Sequence, residues 1–201
     1  MVVTEIDARP LTLTDDPDRP KGLHLSQIIN SMMVGLDPGR YNKRDQSEVE
    51  RVAGVQKMAT GVAFETLMER TIIKALHPQV FRPAAICCDG VWMSPDAVDP
   101  EEWCPHEYKL TWYSTSKECP TDPVYWPWII QIRCYARALD ADHGYLTAYH
   151  INGNYKPPRP IPPRTWRLDF TKEELDGTWY AVLQHAREKR WLPPDLEWMV
   201  T

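Results

Sequence analysis

The chain has 201 residues, with 23 lysines and arginines against 28 aspartates and glutamates, and a formal net charge of −5. This charge excludes a protein that holds nucleic acid by bulk positive charge, so any such contact would need local basic patches or bound metal ions. A hydrophobic content of 43% is ordinary for a soluble globular protein, and no apolar run approaches the length of a membrane span. The length suits one α/β domain, with or without an arm.

Cysteine usage indicates a reducing compartment. The number of cysteines is odd, none forms a Cys-x-x-Cys pair, and no signal peptide is recognisable. We therefore expect free thiols and a cytoplasmic protein, in a phage or a bacterial host. The five residues concerned are Cys87, Cys88, Cys104, Cys119 and Cys134.

Residues 1–22 form an acidic segment that is interrupted by prolines. Such a composition predicts an extended arm that becomes ordered only where it docks on another surface. The arm either covers a basic surface or, as the simpler interpretation, is a solvated tail or an oligomer strap. Residues 23–201 are expected to form a single domain.

Two helices are predicted in the first part of the chain. The first begins near Leu25, with Ser26 as its N-cap, and ends at the glycines and proline of residues 35–39. The second spans residues 47–76 and starts with a capping box. Gly61 and Glu65 are four residues apart on this helix and share a face. Taken alone, Glu65 is more simply a solvated surface acid.

The remaining elements alternate between strands and helices. Residues 84–93 predict a buried strand, and short strands follow at residues 96–98 and 107–110. Residues 126–139 carry an apolar stripe at helical spacing, and Thr171 caps a last helix that ends near residue 190. Two more strands are predicted between these helices, at residues 145–151 and 165–170. The order predicts an α/β domain in which a mixed sheet is flanked by helices.

The residues with the clearest chemistry lie between Asp96 and Lys109. Glu107 and Lys109 are two apart, so both side chains leave one face of a strand, while Tyr108 points towards a core. A turn at residues 99–102 can bring Asp96 alongside Glu107. Two carboxylates beside an ammonium group suit Mg²⁺ or Mn²⁺, which leave coordination sites for a phosphate.

Simpler interpretations stay open for each of these residues. Asp96 could be a plain turn residue, and Glu107 with Lys109 could be a surface ion pair. Asp89 is a rival to Asp96, because Asp89-Gly90 also precedes Glu107. We prefer Asp96 because it follows a proline at a turn into a strand. In the second long helix, Gln131 and Tyr135 share a face, either for function or for ordinary packing.

Four blocks of sequence together resemble the PD-(D/E)xK nuclease superfamily, in particular its lambda-exonuclease and RecB-type (YqaJ-like) branch. In that branch a helical Glu precedes Ser-Pro-Asp-Gly, then Glu-x-Lys, then a Gln-x-x-x-Tyr helix. All four blocks occur here in that order, and the resemblance extends over residues 25–190. Ala97 replaces the usual glycine, and the residues after Lys109 also differ. The blocks are residues 61–65, 94–96, 107–109 and 131–135.

The resemblance implies a restriction-endonuclease-like fold, with a mixed central sheet flanked by helices in an αβββαβ core. It also implies a metal-dependent deoxyribonuclease, most simply an exonuclease on linear double-stranded DNA that acts in phage-type recombination or repair. Alternatives are an endonuclease, a nuclease subunit of a larger complex, and a catalytically silent DNA-binding or scaffold protein of the same fold. Silent relatives generally lose one site residue, whereas this chain keeps the whole set.

The resemblance assigns roles to the site residues. Asp96, Glu107 and the carbonyl of Tyr108 would hold one Mg²⁺ or Mn²⁺ ion, and Glu65 would hold a second. Lys109 would orient or deprotonate the attacking water and stabilise the transition state. Gln131 and Tyr135 would hold the nucleophile side or the adjacent phosphate. An iron–sulfur cluster is not expected, because no cysteine follows Cys134.

Weaker signals concern the substrate and partners. Ser26, Arg40 and Lys43 are candidates to hold a terminal phosphate, and Trp112 is a candidate to stack on a base at a frayed end. The expected partners are linear duplex ends, a further copy of the chain in a homo-oligomer, and a single-strand-annealing protein. No membrane contact is expected. Candidates for contact with the DNA backbone are Lys117, Lys156, Arg159, Arg164 and Arg167.

Overall fold

The structure is a computed structural model that describes residues 20–41, 59–61, 63–64, 67, 79–112, 117–119, 121–151 and 163–194. Most of the predicted arm, residues 1–19, and most of the predicted helix over residues 47–76 lie outside these ranges. Residues 59–61, 63–64 and 67, which belong to that helix, are helical. No helix among the described residues is long and apolar enough to cross a membrane.

The described residues form four α-helices, one short 3₁₀ helix and seven strands. The α-helices are α1 (Leu25–Leu36), α2 (Pro38–Tyr41), α3 (Trp126–Leu139) and α4 (Lys172–Glu188), and the 3₁₀ helix is Pro123–Tyr125. The strands are β1 (Leu23–His24), β2 (Ile86–Cys88), β3 (Val91–Met93), β4 (Ala97–Asp99), β5 (Cys104–Thr111), β6 (His143–His150) and β7 (Arg164–Asp169).

The strands form two mixed sheets. The larger has the order β4-β5-β6-β7, in which β5 and β6 are parallel and the outer pairs are antiparallel. The smaller has the order β1-β3-β2, with β1 parallel to β3 and β2 antiparallel to it. The predicted mixed α/β architecture with flanking helices is therefore confirmed.

Helix α3 lies between two apolar cores because its apolar side chains cover more than one face of the helix. Ile129 and Ile132 pack with Leu146 of β6 against the four-stranded sheet. Cys134 and Tyr135 pack instead into a core with α1, β3 and α4. This double burial explains why the apolar pattern of residues 126–139 is strong enough to predict the bounds of the helix, which the structure confirms.

Helix α4 begins as its sequence predicts. The Thr171 hydroxyl accepts a hydrogen bond from the Glu174 N–H at 3.2 Å, and the Glu174 carboxylate accepts one from the Thr171 N–H at 2.9 Å. These two bonds form the capping box, which satisfies backbone donors that have no partner inside the helix. Acidic side chains in the first turn and basic ones in the last also match the helix dipole.

Two local predictions are wrong. Ser26 is not the N-cap of α1, because the helix begins at Leu25 and His24, two residues before Ser26, is the cap, with its N–H bonded to the Gln27 side chain at 3.0 Å. The single strand predicted over residues 84–93 is instead a hairpin of β2 and β3. Asp89 and Gly90 both adopt positive φ, 48° and 79°, and turn the chain back on itself.

Gly144 tests the packing of α3 on the sheet. A Cβ atom at Gly144 would lie 3.0 Å from the Ile132 side chain and 3.1 Å from Pro105 Cγ. We expect Gly144→Ala to lower the free energy of unfolding by about 1–3 kcal/mol, as overpacking does, and Ile132→Val to recover part of the loss. Urea unfolding midpoints measure both effects.

Gly177 supplies the matched control for that substitution. It lies in α4 with nothing within 4 Å of the site of a new Cβ atom. Gly177→Ala should therefore raise the free energy of unfolding by about 0.5–1 kcal/mol through helix propensity. Equal changes in the two variants would contradict the packing described for Gly144.

Candidate active site

Strand β5 presents different chemistry on its two faces. Glu107 pairs in register with Leu146, so it lies on the face of the four-stranded sheet that α3 covers, which we call the helix face. Lys109 follows on the same face because strand side chains alternate. Tyr108 points the other way and packs with Val80 and Ala97. This alternation matches the one expected from the sequence.

Asp96 lies beside Glu107 because of the β4–β5 turn. Strand β4 is antiparallel to β5 with Ala97 opposite His106, and continuing this register by one residue sets Asp96 opposite Glu107. The Asp96 carboxylate accepts a hydrogen bond from the Tyr108 N–H at 2.8 Å. Asp99 stabilises the turn itself, because its side chain accepts backbone N–H groups of the two residues that follow Pro100.

Glu107 and Lys109 form an ion pair that is buried rather than superficial. The Glu107 side chain is 0% exposed and that of Lys109 is 23% exposed, with Lys109 Nζ in contact with Glu107 Oε1. A buried carboxylate costs several kcal/mol of desolvation unless cations or donors offset it. A surface ion pair, the simpler interpretation of these two residues, is therefore excluded.

Helix α3 adds a hydroxyl to the same place. The Gln131 amide donates to the Tyr135 hydroxyl at 2.7 Å, and this hydroxyl donates to the Ser94 carbonyl at 3.2 Å. Burial raises the pKa of Tyr135 well above its ordinary value, and the negative charges of Glu107 and Asp96 raise it further. The phenol therefore stays protonated beside both carboxylates, and its acceptor Ser94 lies two residues before Asp96 in the chain.

Asp89, the rival to Asp96, has a different role. Its carboxylate accepts a hydrogen bond from the Trp179 indole of α4 at 2.8 Å. It also occupies the tight turn between β2 and β3. The geometry therefore favours Asp96 as the acid that accompanies Glu107.

The donor atoms fit a hard divalent cation. Asp96 and Glu107 supply carboxylate oxygens from neighbouring segments. The Tyr108 carbonyl leaves β5 on the same edge as the N–H that reaches Asp96, since both groups of one strand residue point to one edge. An all-oxygen set of this kind suits Mg²⁺ or Mn²⁺. Glu65, the expected ligand of a second ion, lies outside the described residues.

Two of the expected substrate residues lie close together. Lys117 Nζ is 2.9 Å from the Asp122 carboxylate. A hydrogen bond from the Val124 N–H, the ion pair with Lys117 and the charge of Arg40 together lower the pKa of Asp122. Arg40 and Lys117 thus both lie near Asp122, Arg40 is also paired with Asp37 at 4.0 Å, and the Arg164 guanidinium donates a hydrogen bond to the Lys117 carbonyl at 3.4 Å.

The other expected substrate residues are more scattered. Ser26 is exposed in the first turn of α1, and Trp112 is half-buried directly after β5. Lys43 lies outside the described residues, as do Lys156 and Arg159.

The sequence did not show which of Arg164 and Arg167 lies on the same face as the candidate site residues, but the register of the sheet does. Arg164 pairs with Ala148, which pairs with Lys109, so all three lie in one row on the helix face. The guanidinium of Arg164 lies 4.9 Å from the Trp166 ring centroid. Arg167 pairs with Tyr145 and lies on the opposite face. Only Arg164 is therefore placed beside the catalytic candidates.

Comparison with known proteins identifies the fold. No protein-family model matches the sequence, and no curated protein matches it. Among solved structures, SSO0001 has a TM-score of 0.52 at 11% identity, over 90% of this chain and 81% of that one. A phage-related exonuclease from Haemophilus somnus 129PT has a TM-score of 0.51 at 12% identity, over 85% and 94%. LHK-Exo in complex with dAMP has a TM-score of 0.50 at 12% identity, over 84% and 88%.

This likeness covers most of the chain and confirms, at the level of fold, the resemblance to the exonuclease branch. The mixed sheet with its helices is the architecture of these neighbours.

Tyr135→Phe tests the contact between α3 and the Ser94–Asp96 segment. The substitution removes one hydroxyl that both accepts and donates a buried hydrogen bond. We expect the free energy of unfolding, measured with urea, to fall by about 1–3 kcal/mol. Tyr180→Phe on α4 is the control, because Tyr180 is 54% exposed and its change should stay within about 0.5 kcal/mol. A neutral Tyr135→Phe would contradict the bonding described.

Proposed function

We propose that this protein is a divalent-metal-dependent deoxyribonuclease that hydrolyses phosphodiester bonds from the ends of linear double-stranded DNA. The observation that carries the proposal is the fully buried carboxylate of Glu107, with Lys109 in contact and Asp96 on the neighbouring segment. A structural role does not require two acids and a lysine to meet under a helix at a desolvation cost. A site for a cation and a phosphate does.

Asp96, Glu107 and the Tyr108 carbonyl are the groups that would hold the ion. When bound, Mg²⁺ or Mn²⁺ lowers the pKa of a water ligand and withdraws electrons from the phosphate. Lys109, as an ammonium group, is positioned to orient that water and to stabilise negative charge that develops on the phosphate oxygens; to take the proton of the water it would first have to release its own to solvent. Its partial exposure leaves the ammonium group accessible to a substrate, while its contact with Glu107 fixes its direction.

Gln131 and Tyr135 act as positioning groups in this proposal. Their hydrogen bonds hold the Ser94 carbonyl, and so fix the segment that carries Asp96 relative to α3. The single O–H of Tyr135 is already donated to the Ser94 carbonyl, so a phosphate oxygen or the attacking water could take this proton only in place of that bond. Phosphodiesters react slowly without help, so positioning and electrostatic stabilisation would supply most of the rate enhancement.

Support for action at DNA ends comes from the neighbours of the same fold. Two of them are exonucleases by name, and one was solved with dAMP, a deoxynucleoside monophosphate of the kind that digestion from an end releases. Because the chain itself carries a net charge of −5, the substrate needs a local basic surface. We assign this surface to Arg40, Lys117 and Arg164, where a phosphate would take the place of Asp122 beside Lys117 and of Asp37 beside Arg40. A homo-oligomer and a single-strand-annealing partner stay predictions of the resemblance.

A digestion time course tests the proposal. Linear duplex, closed circular duplex and single-stranded DNA are incubated with Mg²⁺, Mn²⁺ or a chelator. Lys109→Ala should reduce the rate on linear duplex by 10²-fold or more, roughly the contribution of a positioned acid–base group. Lys189→Ala, which removes the same charge just after α4, is the matched control and should keep the wild-type rate. Thermal unfolding of each variant verifies that it is folded.

The substrates separate the alternatives. Shortening of linear duplex with circles left intact supports the exonuclease, and label placed on one 5′ end gives the polarity. Cleavage of circles would keep the site but change the function to that of an endonuclease. If no substrate is cut in either metal by folded wild-type protein, the catalytic proposal fails and a DNA-binding scaffold of this fold takes its place.

Arg164→Gln tests whether Arg164 binds a phosphate of the DNA backbone. Arg164 lies in the same row as Lys109 but two strands away, which is about 10 Å. Loss of one charge-assisted bond to a phosphate should raise KM on linear duplex about tenfold and leave kcat nearly unchanged. Steady-state kinetics at fixed salt measure the two constants. A fall in kcat with constant KM would place Arg164 in the chemical step instead.

A further inference from the structure

A second group of ligand-type side chains lies at the start of strands β5 and β6. Cys104 is the first residue of β5 and His143 the first of β6. The parallel register pairs His106 with Tyr145, and two steps back along both strands it sets Cys104 beside His143. Glu102 reaches the same place from the turn that precedes β5. Cys104 packs there with Ala136 at the end of α3 and with Leu175 of α4.

The three side chains converge closely. A carboxylate oxygen of Glu102, the Cys104 sulfur and a ring nitrogen of His143 all lie within 4.8 Å of one another. His143 Nε2 is 2.8 Å from the Glu102 carboxylate. Ligand atoms around a tetrahedral zinc ion are about 3.5 Å apart, given the usual zinc–ligand distances. Small side-chain rotations are therefore enough to bring these atoms onto one ion.

Two further observations indicate that the group is arranged for a ligand. Cys104 is 0% exposed, and among the described residues its thiol forms no hydrogen bond with another residue, although it faces two groups able to form one. On the other side of the ring, His143 Nδ1 is 2.7 Å from the Asp142 carboxylate. A carboxylate that fixes one ring nitrogen and directs the other at an ion is the usual second contact of zinc-binding histidines.

We propose that Glu102, Cys104 and His143 bind a Zn²⁺ ion, with water as the fourth ligand. Sulfur, imidazole nitrogen and carboxylate oxygen together select zinc over the hard ions that suit Asp96 and Glu107. The site therefore differs from the candidate active site in its chemistry and in its residues, which lie at the start of strands β5 and β6.

The charges around the site favour a cation. Glu102 and the nearby Asp142 supply negative charge, whereas burial, with the charges of Glu102 and Asp99, raises the pKa of the Cys104 thiol to about 11. In the described residues Glu102 contacts His143, a cation when protonated, at 2.8 Å, and Arg167 at 3.5 Å, which is itself paired with Asp169 at 2.9 Å. On binding, the thiol of Cys104 and the ring of His143 would each release a proton to solvent, as metal binding generally requires.

The ion would have a structural role. It would join the β4–β5 turn to the first residue of β6, and so fix the register of the two parallel strands three residues before Glu107. It would cross-link two segments of the chain, as a disulfide does in many secreted domains, whereas the five cysteines of this chain are all free. The inference is independent of the proposed nuclease activity and survives if that activity is absent.

Cobalt substitution tests the site without any nuclease assay. Purified full-length protein is treated with a chelator, and Co²⁺ is added while the absorption spectrum is recorded. A thiolate bound to Co²⁺ gives a near-ultraviolet charge-transfer band that an all-oxygen site does not give. We expect this band in the wild type at one equivalent of Co²⁺, loss of the band on addition of Zn²⁺, and a higher Tm with either ion.

Variants assign the ligands. Cys104→Ser and His143→Gln should lose the band and the rise in Tm, whereas Cys87→Ser, at an exposed thiol, should keep both. Glu107→Gln should also keep the band, because it affects only the oxygen site. Absence of the band in folded wild-type protein overturns the proposal, and so does its persistence in Cys104→Ser.

Discussion

The burial of Glu107 is the constraint on which the rest of this structure depends. A carboxylate with no solvent exposure is tolerated only if charged or polar groups converge on it. Parallel strands cannot be joined by a tight turn and need a crossover, usually a helix. Here α3 is the helix between β5 and β6, and it covers the face on which Glu107 lies. The connection demanded by topology thus also provides the cover of the site.

The same helix supplies polar groups where its apolar stripe faces the sheet. Ile132 packs on Gly144 and Leu146, while one turn of the helix carries Gln131 and Tyr135 towards Ser94. Lys109 remains partly exposed beyond them. Solvent exposure therefore rises across the site, from the Glu107 side chain to that of Lys109. This difference in exposure suits a phosphate, which must approach from water and react where charges are weakly screened.

Much of this arrangement could be predicted from sequence because its signals are local or periodic. The stripe over residues 126–139 gave the bounds of α3, and the Thr171 capping box gave the start of α4. Alternation alone placed Glu107 and Lys109 on one face and Tyr108 on the other. The turn at residues 99–102 brought Asp96 to Glu107, since Asp99 forms the side-chain bonds that such a turn uses.

What could not be predicted depends on contacts between distant residues. Ser26 is a residue type that often caps helices, but β1 pairs with β3, and the end of β1 at His24 fixes where α1 begins.

Glu102 and His143 are 41 residues apart, and their spacing in the sequence does not match a metal-binding motif. Only the parallel register of β5 and β6 brings His143 to Cys104, and the same register sets Glu107 beside Leu146. A shift of the β5–β6 register by one residue would turn Glu107 to the opposite face of the sheet, and it would also separate Cys104 from His143. Whatever fixes the start of these two strands therefore also fixes the position of Glu107.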